Sequence, residues 1–337
     1  MPILQKLLHI TNFGSPLLRT VVPAVCTAFA IQTAFAIPSV AVRSERLYDL
    51  SGAITNVAVV ALSLYLPALR ARHAVAGPSA AKAGLQPFPS PIEPFTSPAT
   101  AALNWRQMVL SAAVTLWAAR LGTYLFGRVL REGKDSRFDA LRDTPRKFLA
   151  AWAAQAVWCT AITLPVVALN AVPAPALSAL PVLVTDVVGL ALWAGGLAFE
   201  SAADAQKARW VSGKKEKLHD EEFMTRGLWR RCRYPNYFGE TALWAGIATA
   251  AAGPLVACQT ALGLGAGAGG AVAAGLLPFV SPAFTAFVLL KLSGVPLSEP
   301  RYDRKYGDRK EYQEWKAATP MFFPKIFLKE SGEQQSR

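Results

Sequence analysis

The chain is organised around the stretch GLWRRCRYPNYFGE, residues 227–240, which is basic and aromatic and leads directly into an apolar segment. Planar guanidinium groups form bidentate hydrogen bonds with phosphate. Four arginines lie in this stretch or just before it, namely Arg226, Arg230, Arg231 and Arg233. Asn236 and Glu240 are four residues apart, so a helix that opens after Pro235 carries both on one face. The pattern predicts either a polar ligand site or the basic flank of a transmembrane helix.

The composition is typical of a membrane protein. Of the 337 residues, 53% are hydrophobic and only 17% are charged, and the mean hydropathy is positive. The net charge is +13, yet Lys and Arg gather in short runs between apolar stretches. This arrangement favours membrane topology over nucleic-acid binding.

The cysteines and histidines exclude several enzyme classes. The four cysteines show no CxxC spacing, and the three histidines are isolated in the sequence. We therefore expect no metal site, no disulfide framework and no Ser-His-Asp arrangement.

Apolar segments recur along the whole chain and predict an all-α fold, a polytopic transmembrane bundle of about seven helices. The expected helices cover residues 21–42, 52–69, 105–129, 148–170, 177–199, 240–257 and 271–292. The first run carries the cleavage-like triplet Ala34-Phe35-Ala36, which is also compatible with a signal peptide. Because this run is long and further apolar segments follow, we expect a retained helix.

The chain divides into three predicted regions, an N-terminal helix pair at 1–69, a linker at 70–104 and a membrane domain at 105–337. The linker is rich in Pro and Ala and predicts irregular structure. Glycines at 263–270 predict a second flexible spacer.

Basic residues fix the expected orientation. They concentrate in the loops at 43–51, 131–147 and 200–238 and in the tail from Pro300, whereas the turns at 170–176 and 258–270 contain none. The positive-inside rule assigns the basic loops and the C-terminal tail to the cytosol. One face of the tail is expected to lie on lipid headgroups, through Tyr302, Tyr306, Tyr312 and Trp315.

Two predicted membrane helices carry a charged residue well inside the apolar run. Arg120 forms a polar stripe with Tyr124 and Arg128, and a charge at that depth costs about 2.5–3.5 kcal/mol on insertion scales. Asp186 lies inside the helix expected at 177–199, and its simplest interpretation is a buried ion pair, with Arg120 as the suggested partner. The charged loop at 131–139 is interpreted most simply as a solvated connector.

An ordered series of motifs over residues 105–320 resembles the steroid 5α-reductase-like membrane proteins, a family that includes sterol reductases. The motifs are RLGTYLFGR (120–128), GKDSRFD (133–139), QAVW (155–158), ADAQK (203–207), GLWR (227–230), RYPNYFGE (233–240), SGVPL (293–297) and YG (306–307), followed by Tyr312. The family pattern usually has His before Pro-Asn-Tyr, where this chain has Tyr234. A phenol still donates a hydrogen bond but carries no positive charge.

The resemblance implies reduction of a carbon–carbon double bond in a steroid, sterol or other lipid enone by hydride from NADPH. Hydride addition to an enone builds negative charge on the carbonyl oxygen, and a nearby hydrogen-bond donor stabilises that charge. The resemblance makes Tyr124, beside Arg120, the expected catalytic donor. An aromatic residue that fills a helix interface is the alternative interpretation of Tyr124.

The resemblance also implies where the cofactor binds. It points to the residues Asp204, Lys207, Tyr234, Asn236, Tyr237 and Glu240, with Arg226, Arg230 and Arg233 as phosphate contacts. Each arginine has the alternative interpretation of a residue at the membrane interface. Because the chain lacks a Rossmann glycine motif after a strand, we expect the site to be built from helices and loops.

Two other functions fit part of the pattern. Membrane methyltransferases of the isoprenylcysteine or phospholipid type share a similar Arg-x-Pro-x-Tyr-x-Gly turn and bind S-adenosylmethionine, and a non-enzymatic lipid-binding or scaffold protein is the third possibility. The ADAQK and SGVPL motifs favour the reductase. The expected partners are a lipophilic small molecule and membrane lipid, without nucleic acid or metal, in the endoplasmic reticulum. The sequence specifies neither the lipid nor the oligomeric state.

Overall fold

A computed structural model describes residues 2–74, 88–98 and 101–325. Of the described residues, 75% are helical and none forms a strand, so the prediction of an all-α fold is confirmed. Much of the expected linker, at 75–87 and 99–100, and the last part of the tail, from residue 326, lie outside the described residues.

Thirteen α-helices follow one another in the described part of the chain. They are α1 (Pro2–Ile10), α2 (Pro16–Ala41), α3 (Tyr48–Ala74), α4 (Glu93–Thr96), α5 (Trp105–Glu132), α6 (Pro145–Asn170), α7 (Ala174–Ser178), α8 (Val184–Lys215), α9 (Pro235–Ala257), α10 (Ala268–Leu276), α11 (Val280–Phe287), α12 (Val295–Tyr306) and α13 (Lys310–Ala318). Short 3-10 turns occur at Ser136–Phe138, Gly227–Arg230 and Leu277–Phe279, and Val288–Leu292 forms a π-helical turn.

Within the described ranges, six segments are long and apolar enough to cross a membrane. They lie in α2, α3, α5, α6 and α8 and in the run Ala268–Tyr306, which joins α10, α11 and α12. The remaining predicted span, at 240–257, lies in α9, which is also helical but is not among the six. Its first turns contain the polar residues Asn236, Glu240 and Thr241. The chain is therefore a polytopic helical membrane protein.

The chain separates into two compact units. The first comprises residues 1–190 and 247–284, and the second comprises residues 191–246 and 285–337. The boundaries fall inside α8, α9 and α11, so each of these helices contributes to both units.

The first unit is built on α2, α3, α5 and α6, which pack against one another. The helix pair expected at 1–69 is therefore part of a larger bundle. Its largest fully buried side chains include Trp117, Phe148 and Trp152. Small residues bring α3 and α5 together, because a Cβ atom on Gly122 would lie 2.5 Å from the Cβ of Ala53.

Polar side chains inside this bundle are bonded to one another. The Gln32 side-chain amide donates to the Thr55 hydroxyl at 2.8 Å, and the Gln155 amide donates to the Tyr48 carbonyl oxygen at 2.8 Å. In an apolar environment an unsatisfied polar group is costly, so such bonds fix the register of α2, α3 and α6.

The predicted partner of Asp186 is wrong. Asp186 pairs with Arg106, with 2.8 Å between Nη2 and Oδ2 and both side chains at most 4% exposed. Both residues lie in the first turns of their helices, α8 and α5. Arg120 is fourteen residues further along α5, which is about 21 Å of helix. Asp186 was expected in the middle of a helix at 177–199, but α8 begins only at Val184, so Asp186 lies in its first turn.

The loop after α5 is not a plain solvated connector, because it contains a buried ion cluster. The Glu45 carboxylate accepts from the Asp135 backbone N–H at 2.7 Å and from Arg142 at 2.7 Å. Asp135 in turn accepts from the Arg137 Nε at 2.9 Å, and Arg137 also donates to Asp49 at 2.9 Å. We call these five residues the loop cluster. It ties the loop after α2 to the GKDSRFD motif.

Helix α8 is longer than its apolar run predicts. The helix was expected to end at Phe199, but it continues to Lys215. Residues 200–212 contain no Pro or Gly and several strong helix formers, so the backbone has no reason to stop at the membrane boundary. As a result, the ADAQK motif lies on a helix rather than in a loop.

Candidate functional site

In the second unit, α8 and α9 pack with unusually close backbones. A Cβ atom on Gly196 would lie 2.5 Å from the backbone nitrogen of Leu243, and one on Gly239 would lie 2.6 Å from the backbone nitrogen of Glu200. Neither position tolerates a side chain without separating the helices. The glycine of the NYFGE sequence therefore serves helix packing and brings the start of α9 onto α8.

The turn before α9 is attached to α8 by hydrogen bonds between the GLWR motif of the turn and the ADAQK motif of α8. The backbone N–H of Leu228 donates to the side-chain oxygen of Gln206 at 2.9 Å. The indole of Trp229 donates to the carbonyl oxygen of Ala203 at 3.1 Å. Gly227 has φ +57°, a left-handed conformation that favours glycine. The ADAQK and GLWR motifs thus form one structural junction.

The end of the described chain holds the other side of this turn. The backbone N–H groups of Arg233 and Tyr234 donate to the carbonyl oxygens of Pro320 and Met321, at 2.9 and 3.2 Å. The N–H of Lys325 donates to the carbonyl oxygen of Arg231 at 3.0 Å. We call residues 320–325 the C-terminal segment. Its backbone runs along the turn and thereby fixes the positions of the Arg233 and Tyr234 side chains.

A cavity of about 180 Å³ lies beside the turn, and we call it the aromatic pocket. Its lining residues all belong to the second unit, and seven of the thirteen are aromatic. They are Lys207, Phe223, Met224, Trp229, Arg233, Tyr234, Asn236, Tyr237, Ser298, Glu299, Tyr302, Tyr312 and Trp315. Sites for whole small molecules usually enclose about 300–1,000 Å³. This cavity is therefore large enough for one ring or one phosphorylated group, and smaller than a site for a whole ligand.

One side of the pocket is an internally neutralised ion cluster. The Glu299 carboxylate accepts from Arg233 and from Lys316 at 3.0 Å. Lys316 also donates to Asp303 at 2.7 Å, and the Tyr312 hydroxyl donates to the same carboxylate at 2.8 Å. Burial lowers the pKa of Lys316, but its hydrogen bonds to Asp303 and Glu299 outweigh burial and raise that pKa above its usual range. We call these residues the pocket cluster.

Lys207 is differently situated from Arg233. Its ammonium group donates to the Tyr302 hydroxyl at 3.2 Å. It also lies 5.0 Å from the ring centre of Trp210, 4.8 Å from that of Trp229 and 5.6 Å from that of Tyr302. No carboxylate in the described ranges forms an ion pair with it. The pocket thus contains a cation with which no carboxylate of the described residues forms an ion pair.

Polar groups of the turn complete the pocket. Tyr234 and Tyr237 are stacked, with ring centres 5.3 Å apart and planes 2° from parallel. Burial, reinforced by the Glu299 carboxylate, raises the pKa of Tyr234 above its usual range, so this phenol is neutral and able to donate. The side-chain oxygen of Asn236 is buried, and no described group donates a hydrogen bond to it. Such an acceptor in a pocket wall is suited to a donor on a ligand.

The pocket gathers five of the nine residues that the sequence analysis assigned to the cofactor: Lys207, Arg233, Tyr234, Asn236 and Tyr237. The other four, Asp204, Arg226, Arg230 and Glu240, are not among its lining residues. Arg226 pairs with Glu221, with 2.6 Å between Nε and Oε1. Asp204 and Glu240 are buried on α8 and α9, and Arg230 is exposed. The predicted catalytic residues Arg120 and Tyr124 lie on α5, in the first unit.

The tail contributes to the pocket, which its sequence pattern did not predict. Its aromatic residues were expected on lipid headgroups, but Tyr306 and Tyr312 are only 6% and 3% exposed. The tail residues Tyr302, Tyr312 and Trp315 line the pocket. Glu299 was not predicted at all. The available signal was its position, two residues after the SGVPL motif.

The fold and the pocket together define a polytopic helical membrane protein with a basic, aromatic cavity at the boundary of a membrane helix. A family model described as a protein of unknown function, DUF1295, matches residues 94–319, and the chain belongs to this family. The match includes every residue that lines the aromatic pocket. No curated protein and no solved structure matches the chain.

Proposed function

We propose that this protein is a membrane-embedded, NADPH-dependent reductase of a carbon–carbon double bond in a lipophilic steroid, sterol or other lipid enone, as its resemblance to the steroid 5α-reductase-like proteins implies. The observation that carries the proposal is the aromatic pocket. It brings Lys207 of the ADAQK motif together with four residues of the RYPNYFGE motif, and all five were expected to bind the cofactor.

The residues of the pocket fit part of a phosphorylated dinucleotide. Lys207 provides a positive charge for a phosphate, and the aromatic rings provide apolar faces for a planar ring. The Asn236 oxygen provides an acceptor for an amide or amino N–H. When bound, NADPH supplies the hydride. The protein residues hold the cofactor and exclude water from the ring.

The charge of the pocket favours this function over methyl transfer. S-adenosylmethionine carries a positive sulfonium group, which the unneutralised ammonium of Lys207 repels at short distance. The Glu299 carboxylate offers little compensation, because Arg233 and Lys316 already neutralise it. A ligand with phosphate groups gains from the same arrangement.

For the chemical step, the proposal retains Tyr124 as the donor to the substrate carbonyl oxygen, with Arg120 beside it on α5. A positioned general acid contributes about 10²–10⁴-fold to the rate. Tyr124→Phe is expected to slow turnover of an enone lipid within that range and to leave NADPH affinity unchanged. Steady-state kinetics with one enone lipid checks this, and unaltered turnover would disqualify Tyr124.

The proposal includes a location in the endoplasmic reticulum with the tail in the cytosol. The basic loops support this orientation, which exposes the pocket to cytosolic nucleotides.

Ligand-dependent thermal stability tests the proposed function. The full-length protein in detergent is titrated separately with NADPH, NADH and S-adenosylmethionine, because a ligand that binds the native state raises the unfolding midpoint. We expect a shift with NADPH. A shift with S-adenosylmethionine alone would support methyl transfer instead, and no shift with any of the three would support a non-enzymatic lipid-binding or scaffold role.

A further inference from the structure

We infer that the aromatic pocket is a receptor for one phosphate group and that Lys207, not an arginine of the turn, carries it. The inference deepens the proposed function, because the phosphate would be one of those of NADPH. It differs from the expectation drawn from the sequence, which assigned the phosphate contacts to Arg226, Arg230 and Arg233.

Arg233 is the only one of these three arginines that lines the described pocket, and its charge is already neutralised. Its guanidinium group forms an ion pair with Glu299, and both side chains are less than 20% exposed. Because Glu299 neutralises the charge of Arg233, a phosphate bound at Arg233 would also lie beside this partly buried carboxylate and be repelled by it. Arg233 therefore acts as a structural cation that holds α12 against the turn.

Lys207 is arranged in the opposite way. The rings of Trp210, Trp229 and Tyr302 surround its ammonium group and stabilise the positive charge without neutralising it. The group also lines the cavity. An ammonium group has three donors, and one of them reaches Tyr302. An anion in the cavity can accept from the remaining donors without breaking an ion pair.

The rings of the pocket select what accompanies the phosphate. Trp229, Tyr302 and Trp315 line a cavity of about 180 Å³, which is enough space for a single ring system. The ligand group is thus a phosphate monoester or diester next to a planar or apolar moiety. A nucleotide and a phospholipid headgroup both have this chemistry.

The test compares matched ligands that differ by one phosphate. The full-length protein in detergent is titrated with AMP, with adenosine and with dioctanoyl phosphatidic acid, and the unfolding midpoint and affinity are measured. Lys207→Met removes the charge but keeps an apolar stem between the rings. Lys207→Arg restores a charge. Lys310→Met is the control, because it makes the same change at a side chain that is 88% exposed and lies outside the pocket.

We expect Lys207→Met to weaken AMP binding by about tenfold or more, since a hydrogen bond to a charged group has that effect. Adenosine binding should change less than about twofold. Lys207→Arg should recover part of the loss, and Lys310→Met should bind AMP like the wild type. If Lys207→Met does not fold, the wild type alone gives the answer: added salt should weaken AMP but not adenosine.

Three results would overturn the inference. They are unchanged AMP affinity in Lys207→Met, an equal loss of AMP and adenosine, and no binding of AMP or phosphatidic acid to the wild type. Lys207-dependent binding of phosphatidic acid without AMP would support the phosphate receptor but remove the nucleotide from the proposed function. If NADPH binds with an affinity that does not depend on Lys207, the nucleotide stays in the proposed function but Lys207 is not the residue that binds its phosphate.

Discussion

The loop cluster and the pocket cluster are both networks of partly buried charges, and the second contributes to the wall of the aromatic pocket. In the loop cluster Glu45 and Asp135 are each held by arginines and by backbone N–H groups. In the pocket cluster Glu299 is equally well held, yet Lys207 beside it has aromatic rings where the loop cluster has carboxylates. The difference separates charges that join parts of the fold from a charge that is available to a ligand.

The largest effect is expected from breaking the loop cluster. Asp135→Ala leaves Arg137, whose side chain is 40% exposed, with Asp49 as its remaining described carboxylate, and the loss of hydrogen bonds to a charged group costs about 1.5–3 kcal/mol. We expect a loss of this order in the free energy of unfolding, measured by denaturation in detergent, with nucleotide affinity unchanged.

Asp143→Ala is the matched control for this variant. Its pair with Arg43 is 3.8 Å long and more than 70% exposed on both sides, so the loss should stay below about 1 kcal/mol. Equal losses in the two variants would show that the loop cluster is no more structural than a surface pair.

A smaller effect on stability and a larger effect on binding are expected at Asn236. Its side-chain oxygen accepts no hydrogen bond from the described residues, so Asn236→Ala should unfold at nearly the wild-type midpoint. Loss of one ligand hydrogen bond should weaken NADPH about 2- to 12-fold. A thermal titration measures both quantities, and a destabilised variant with normal affinity would remove Asn236 from the site.

The stability contributed by the carboxylates of the loop cluster and that contributed by Lys316 of the pocket cluster should be lost at opposite ends of the pH range. This is the smallest effect we predict. Burial raises the pKa of Glu45 and of Asp135, but their hydrogen bonds and arginines outweigh burial and lower both pKa values below the ordinary carboxyl range. Their stabilisation is thus complete above the unfolded-state pKa, about 4, and is lost as the pH falls through the folded-state values.

For Lys316 the direction is reversed. Its folded-state pKa is raised, so its contribution is complete below the unfolded-state pKa, about 10.4, and is lost as the pH rises through the folded-state value. Unfolding midpoints at acid and alkaline pH, compared between the wild type, Asp135→Ala and Lys316→Met, check both directions. Asp135→Ala should flatten only the acid limb. Lys316→Met should flatten the alkaline limb, and it should also change the acid limb because the hydrogen bond from Lys316 lowers the pKa of Asp303.

The helices could be predicted from the sequence because long apolar runs have few alternatives in a membrane. Partners distant in the sequence could not. Arg106 and Asp186 are 80 residues apart, and their pairing depends on where each helix begins. The extension of α8 beyond Phe199 was missed because hydropathy marks the membrane and not the end of a helix.

The candidate site was predictable only on one side. Lys207 and Asn236 lie in short motifs whose residue types indicate a ligand, and both line the pocket. Glu299 and Tyr312 come from a tail whose spacing also fits a surface helix, and only tertiary contacts distinguish burial from exposure. The NADPH-dependent activity and the role of Tyr124 stay predictions.

The pairing of the C-terminal segment with residues 231–234 has a consequence for biosynthesis. The C-terminal segment follows the last apolar segment in the sequence, so the hydrogen bonds that hold the turn are complete only after residue 325 has been synthesised. A chain that stalls earlier would lack these bonds, and the pocket wall at Arg233 and Tyr234 would be held less firmly.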